Sequence, residues 1–158
     1  MRFLKKLQAK TVLPKLKLRE RELSKTGLVV VDGNPMTIVD FLKLENLTVK
    51  GDLEIVKNPL LTELPAGLKV VGDLDLRDTK ITKLPDGLEV GGYLMLNRTK
   101  TIKELPKGLK VGDILSIPDT GITSLPPDLK VGRRIHISTD MKPTFDAGEF
   151  LNKITVDR

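Results

Sequence analysis

LPAGLKVVGDLDL at Leu64–Leu76, LPDGLEVGGYLML at Leu84–Leu96, LPKGLKVGDILSI at Leu105–Ile117 and LPPDLKVGRRIHI at Leu125–Ile137 are four copies of one phrase. A half-copy, LTVKGDLEI, precedes them at Leu47–Ile55. The strand-like triplets fall near 53–55, 74–76, 94–96, 115–117 and 135–137, in steps of 21, 20, 21 and 20 residues. A short fixed period of this kind specifies a stack of similar coils, each of which buries its apolar side against its neighbours. The two longer steps place one extra residue after the strand, at or beside Leu61 and at or beside Thr101, where a loop absorbs it without shifting strand register.

Within each copy the Leu-x-Leu alternation sends two side chains inward and the one between them outward. The Pro and Gly of LPxGL exclude a regular helix from the return path. Four inward ladders follow: Leu53/Leu74/Leu94/Leu115/Ile135, Ile55/Leu76/Leu96/Ile117/Ile137, Val49/Val70/Val90/Val111/Val131 and Leu47/Leu68/Leu88/Leu109/Leu129. Full burial of each such side chain is worth about 1.5–3 kcal/mol, enough for a core without aromatic residues. Thr79, Thr99 and Thr120, with Asn58 in the first regular coil, recur three residues after the second strand residue. Polar side chains there are expected to bond the backbone of the turn that leaves the strand. Gly27–Val39 reads as a degenerate first coil, because its Asn-Pro matches that of Ile55–Thr62 and places Val29 and Val31 level with Leu53 and Ile55.

The pattern LxLxxN/TxI-x-x-LP resembles the short leucine-rich repeats of bacterial secreted effectors and of bacteriophage and bacterial proteins with LPxGLxVxGxLxL coils, over roughly residues 28–140. The expected fold is therefore a leucine-rich-repeat-like solenoid of about five or six coils. It has parallel strands, extended and largely non-helical returns, and a short cap at each end. Two departures stand out. Thr replaces the usual ladder Asn in three coils, and a Val-x-Gly insert precedes the strand. That insert is compatible with a second short strand at Leu68–Val70 and its equivalents, which would make a two-stranded β-solenoid. The resemblance implies protein–protein recognition on the strand face and carries no common catalytic residues.

The outward positions of the strand form three columns. Asp52, Asp73, Tyr93, Ile114 and Arg134 precede the first inward residue. Glu54, Asp75, Met95, Ser116 and His136 lie between the inward pair, and Val56, Arg77, Asn97, Pro118 and Ser138 follow. The face grades from acidic through apolar to basic. Asp52, Glu54, Asp73 and Asp75 sit on neighbouring strands, and like charges opposite one another destabilise a ladder. Either Arg77 and Lys50 offset them locally or they await a cationic partner. A hard-cation site needs six or more oxygens in a cage, so no metal is expected. Tyr93, Met95 and Ile114 make an aromatic–apolar cluster of the kind found at interface hot spots. The expected partner surface comprises Asp52, Glu54, Asp73, Asp75, Arg77, Tyr93, Met95, Ile114, Ser116, Arg134 and His136.

The net charge of +6 is unevenly placed. Residues 1–25 hold nine Lys/Arg and two Asp/Glu, whereas the remainder is nearly balanced. The chain thus divides into a basic N-terminal arm (1–25), a repeat body (26–140) and a C-terminal segment (141–158). The arm has helical spacing over about residues 2–10, and Pro14 ends it. Its Arg2, Lys5, Lys6, Lys10, Lys15, Lys17 and Arg19 suit an anionic partner or a solvated cap. The segment after Asp140 is expected to lid the last coil, with Asp146 capping a short helix through about Asn152.

Cysteine is absent, which excludes disulfides and thiolate metal sites. No apolar run has the length of a membrane span, and the N-terminus lacks the apolar stretch of a secretory signal, so a cytoplasmic or virion-associated location is expected. With one His, no Cys and no phosphate loop, no cofactor and no enzymatic activity are expected. Three functions fit. They are a protein-binding module, a structural or assembly protein such as a phage-type virion or decoration component anchored by its arm, and a nucleic-acid or anionic-surface binder acting through that arm.

Overall fold

The computed structural model describes residues 27–138 and 150–156. The body is a parallel β-solenoid of about five turns, each turn contributing two very short strands. The first strand of each turn is β3 (Thr48–Val49), β5 (Lys69–Val70), β7 (Glu89–Val90), β9 (Lys110–Val111) or β11 (Lys130–Val131). The second is β4 (Leu53–Glu54), β6 (Leu74–Asp75), β8 (Leu94–Met95), β10 (Ile114–Ser116) or β12 (Arg134–Ile137). The first strands stack into a five-stranded parallel sheet, and the second strands, with β13 (Ile154–Val156), into a six-stranded one.

Register follows the repeat. Leu53 pairs with Leu74, Leu74 with Leu94, Leu94 with Leu115 and Leu115 with Ile135. On the other sheet Val49, Val70, Val90, Val111 and Val131 pair in succession. The four expected ladders are buried throughout, except Leu47, which is half-buried. The return path adds two more buried ladders, Leu61/Ile81/Ile102/Ile122 and Leu64/Leu84/Leu105/Leu125. Leu61 is a core residue, and in its turn the added residue lies on its N-terminal side, where Leu60 is exposed. The Thr column sits as expected. Thr79 Oγ donates to Leu76 O at 2.8 Å, Thr120 Oγ to Ile117 O at 2.9 Å, and Thr99 Oγ reaches back one coil to Leu76 O at 3.1 Å. Asn58 Oδ1 accepts from Leu60 N at 3.0 Å. The residue before each of these, Lys57, Asp78, Arg98 and Asp119, has positive φ, so each turn leaves its strand through a left-handed residue.

Coils approach so closely at one corner that a side chain does not fit. A Cβ on Gly91, Gly112 or Gly132 would collide with the backbone carbonyl of the preceding coil, at Val71, Gly91 and Gly112 respectively. In the last three copies the glycine after Val is therefore a packing requirement between coils, whereas Val71 holds that place in the first copy with its side chain exposed.

Both ends depart from the expected design. Leu28–Thr37 is not a first coil. β1 (Leu28–Val31) and β2 (Asn34–Thr37) form an antiparallel hairpin. The turn is Asp32–Gly33, both with positive φ, the geometry that Asp-Gly favours in a two-residue hairpin. A single-turn helix, α1 (Ile38–Leu42), follows. Its N-cap Thr37 accepts from Asp40 N at 3.1 Å, and Phe41 is fully buried over the first coil. Val29 and Val31 are buried as expected, but as part of this lid. At the other end, Leu151–Lys153 is a 3-10 turn, and β13 pairs in parallel with β12, Ile154 against Ile135. The proposed cap at Asp146 lies outside the described residues, and the part of that helix within them, up to Asn152, is this 3-10 turn. Phe150 is buried against the last coil, so the aliphatic core is closed at each end by a phenylalanine. Lys153 Nζ donates to Val131 O at 2.7 Å, a last-coil carbonyl that no further coil reaches.

Candidate partner-binding faces

The expected partner surface is the outer face of the six-stranded sheet. Register sets Glu54 beside Asp75, Asp75 beside Met95, Met95 beside Ser116 and Ser116 beside His136. The Leu94–Leu115 pairing brings Tyr93 alongside Ile114, which itself pairs with Arg134. Tyr93, Met95, Ile114 and His136 are half-buried and Arg134 is exposed. Ser116 and Asp75 were expected to point to solvent, yet both are buried, because neighbouring coils lie within side-chain reach on either side. Ser116 Oγ lies 3.5 Å from His136 Nδ1.

The acidic end of this face is built into the frame. The amides of Asp73 and Tyr93 point back toward the preceding coil and are received there by carboxylates. Asp52 Oδ1 accepts from Asp73 N at 2.8 Å, and Asp73 Oδ1 accepts from Tyr93 N at 2.7 Å. The hairpin makes a related contact at a different place in the coil: Asp32 Oδ1 accepts from Lys50 N at 2.9 Å, where the equivalent amides of later coils, Val71 N and Gly91 N, meet backbone carbonyls. Asp75 is held by Arg77, whose Nη2 and Nε donate to it at 2.6 to 3.0 Å and whose backbone N donates at 3.1 Å. That hydrogen bond to Asp75 raises the pKa of the Arg77 guanidinium. Charge-assisted bonds of this kind offset the repulsion expected of stacked acids. One column further, Arg98 forks onto Asp78 at 2.8 and 2.7 Å, which holds the Asp78 carboxyl below its usual range.

A second face was not singled out from sequence. The x of each LxV triplet, together with Thr48, points out of the five-stranded sheet, giving the column Thr48, Lys69, Glu89, Lys110 and Lys130. With Lys153 these residues edge a groove of about 590 Å³ whose lining includes Val71 and the glycine corner. Glu89 is shared by Lys110 at 2.7 Å and Lys69 at 3.3 Å, and their hydrogen bonds hold its carboxyl below the ordinary glutamate range. The signal was present in the sequence as LKV, LEV, LKV, LKV, once the insert is read as a strand.

Arg2, Lys5, Lys6, Lys10, Lys15, Lys17 and Arg19 lie outside the described residues. Among the described residues, no group of three or more His, Cys, Asp or Glu is placed to hold a metal ion. No helix there is long and apolar enough to cross a membrane. No family model matches the chain, and neither the curated proteins nor the solved structures contain a match.

Proposed function

We propose that this chain is a non-enzymatic protein-binding module that engages its partner through the outer face of the six-stranded sheet, centred on Tyr93, Met95 and Ile114. The supporting observation is that these three side chains adjoin across β8 and β10 on a sheet whose nearby acids, Asp52, Asp73 and Asp75, already serve the frame. The apolar cluster is what remains for a partner to cover, and Arg134 and His136 border it. Truncating an aromatic anchor at the centre of an interface costs about 2 kcal/mol or more. The variant Tyr93→Ala/Ile114→Asp is therefore expected to lower affinity for a co-purifying partner by about thirtyfold or more while circular dichroism stays unchanged. Unaltered affinity would remove this face from consideration.

The coil phrase supports grouping the chain with short leucine-rich-repeat proteins of bacteria and bacteriophages, though with a second sheet per coil. A second reading rests on the charge of residues 1–25, which suits anchoring to an assembly or an anionic polymer. Deleting those residues would then abolish incorporation or a steeply salt-dependent binding, and binding that survives the deletion eliminates that reading.

A further inference from the structure

We infer that the groove on the five-stranded sheet is a second docking site, independent of the first face, for an extended acidic segment of a partner protein. Four lysines, Lys69, Lys110, Lys130 and Lys153, line it against one glutamate, Glu89. Lys69 and Lys110 share that glutamate, and Lys130 forms no ion pair among the described residues. Among the described residues the groove therefore carries a net positive charge at its C-terminal half.

The floor is shaped for a backbone. Gly91, Gly112 and Gly132 have no side chains because the coils stack too closely there, and the same bareness lets another chain lie near the main chain. Val71, 61% exposed, supplies an apolar edge at one end. From Lys69 to Lys130 the column crosses three strand spacings, about 14 Å, the length of roughly four extended residues. The interruption by Glu89 selects the class of ligand. A phosphate polymer with a charge on every unit would set one of them against Glu89, whereas a peptide can place a neutral or apolar residue there and carboxylates on either side.

The test uses the full-length protein and a labelled peptide of alternating glutamate and valine, followed by fluorescence anisotropy. Lys110→Gln/Lys130→Gln is expected to weaken binding at least about fivefold, and Glu89→Gln to strengthen it about two- to threefold by freeing two lysines. Tyr93→Ala/Ile114→Asp is expected to leave it unchanged, so this site and the first face fail or stand separately. The basic arm is the same in every variant, so a difference between variants is assigned to the groove. Equal affinity of wild type and the lysine double variant overturns the proposal, as does Glu89→Gln weakening binding. Single-stranded DNA of the same length binding more tightly than the peptide, with loss in the lysine double variant, would assign the groove to a polyanion instead. Peptide binding that emerges only after Asp140, Asp146 and Glu149 are neutralised would make the chain's own acidic residues the occupant and overturn an external one.

Discussion

On the six-stranded sheet, Asp52 and Asp73 reach across to the amide of the next coil, and Asp75 is folded under Arg77. On the five-stranded sheet, Glu89 reaches only the ammonium groups of Lys69 and Lys110, at the surface. Both are outward columns of the same repeat, one residue in each coil. The difference shows that an outward charge in a solenoid is not automatically a charge offered to a partner. Where the strand begins, its first amides face back toward a coil that has no carbonyl in line, and an aspartate fills the vacancy. Where the amides already meet carbonyls, as Lys69 N meets Leu47 O and Lys110 N meets Leu88 O, the side chain is left to its neighbours and to solvent.

The sharpest way to break this contrast is Asp75→Ala. The carboxylate accepts from both the side chain and the backbone of Arg77 and is nearly buried. Its loss leaves a half-buried guanidinium and an amide without acceptors, and the expected cost is about 2 kcal/mol in urea unfolding. A cost near zero would return Asp75 to the pool of acids available to a partner. Asp73→Ala comes next. It removes only the acceptor of Tyr93 N, a part-buried amide at a strand start, so about 1 kcal/mol is expected. Because Tyr93 is anchored through that bond, the same variant also tests whether the frame positions the proposed binding cluster.

The four strand-side ladders were legible residue by residue. Leucine and valine at period 2 predict the ladders, and the 21-20-21-20 spacing predicts where an extra residue is tolerated, because burial punishes any slip of register. The Thr column was legible for a similar reason: a buried turn must satisfy its carbonyls. Three things were not. The Asp32–Gly33 hairpin was masked by a better-looking match, the shared Asn-Pro, although Asp-Gly between apolar runs is the stronger local signal. The acid quartet read as repulsion because a column of letters shows like beside like. It does not show a carboxylate leaning 20 or 21 residues ahead to an amide. The lysine groove was missed because its column belongs to the first strand of each coil, the Val-x-Gly insert, and outward positions carry meaning only after the strand that aims them has been assigned.

The smallest expected effect lies on the lysine side and is read on the acid limb of a melting curve. Asp78 and Glu89 both have pKa values below their ordinary ones, through hydrogen bonds to Arg98 and to Lys110 and Lys69 respectively. A carboxyl whose pKa is depressed by folding stabilises the fold above the unfolded pKa, and that contribution is lost as pH falls through the folded one. Wild type should therefore lose stability as pH drops below about 4, and less so in high salt, which screens exposed pairs. Asp78→Asn should flatten that limb visibly, because the Arg98 fork is bidentate and its carboxylate is half-buried. Glu89→Gln should flatten it less and leave the neutral-pH melting temperature within scatter, since surface pairs of lysine and glutamate exchange one set of water contacts for another. If Glu89→Gln instead destabilises at neutral pH as much as Asp75→Ala does, Glu89 is as much a part of the frame as the acids of the other sheet. The lysines beside it would then be committed to the fold, as Lys153 is through Val131 O, and only Lys130 would be left to meet an acidic chain.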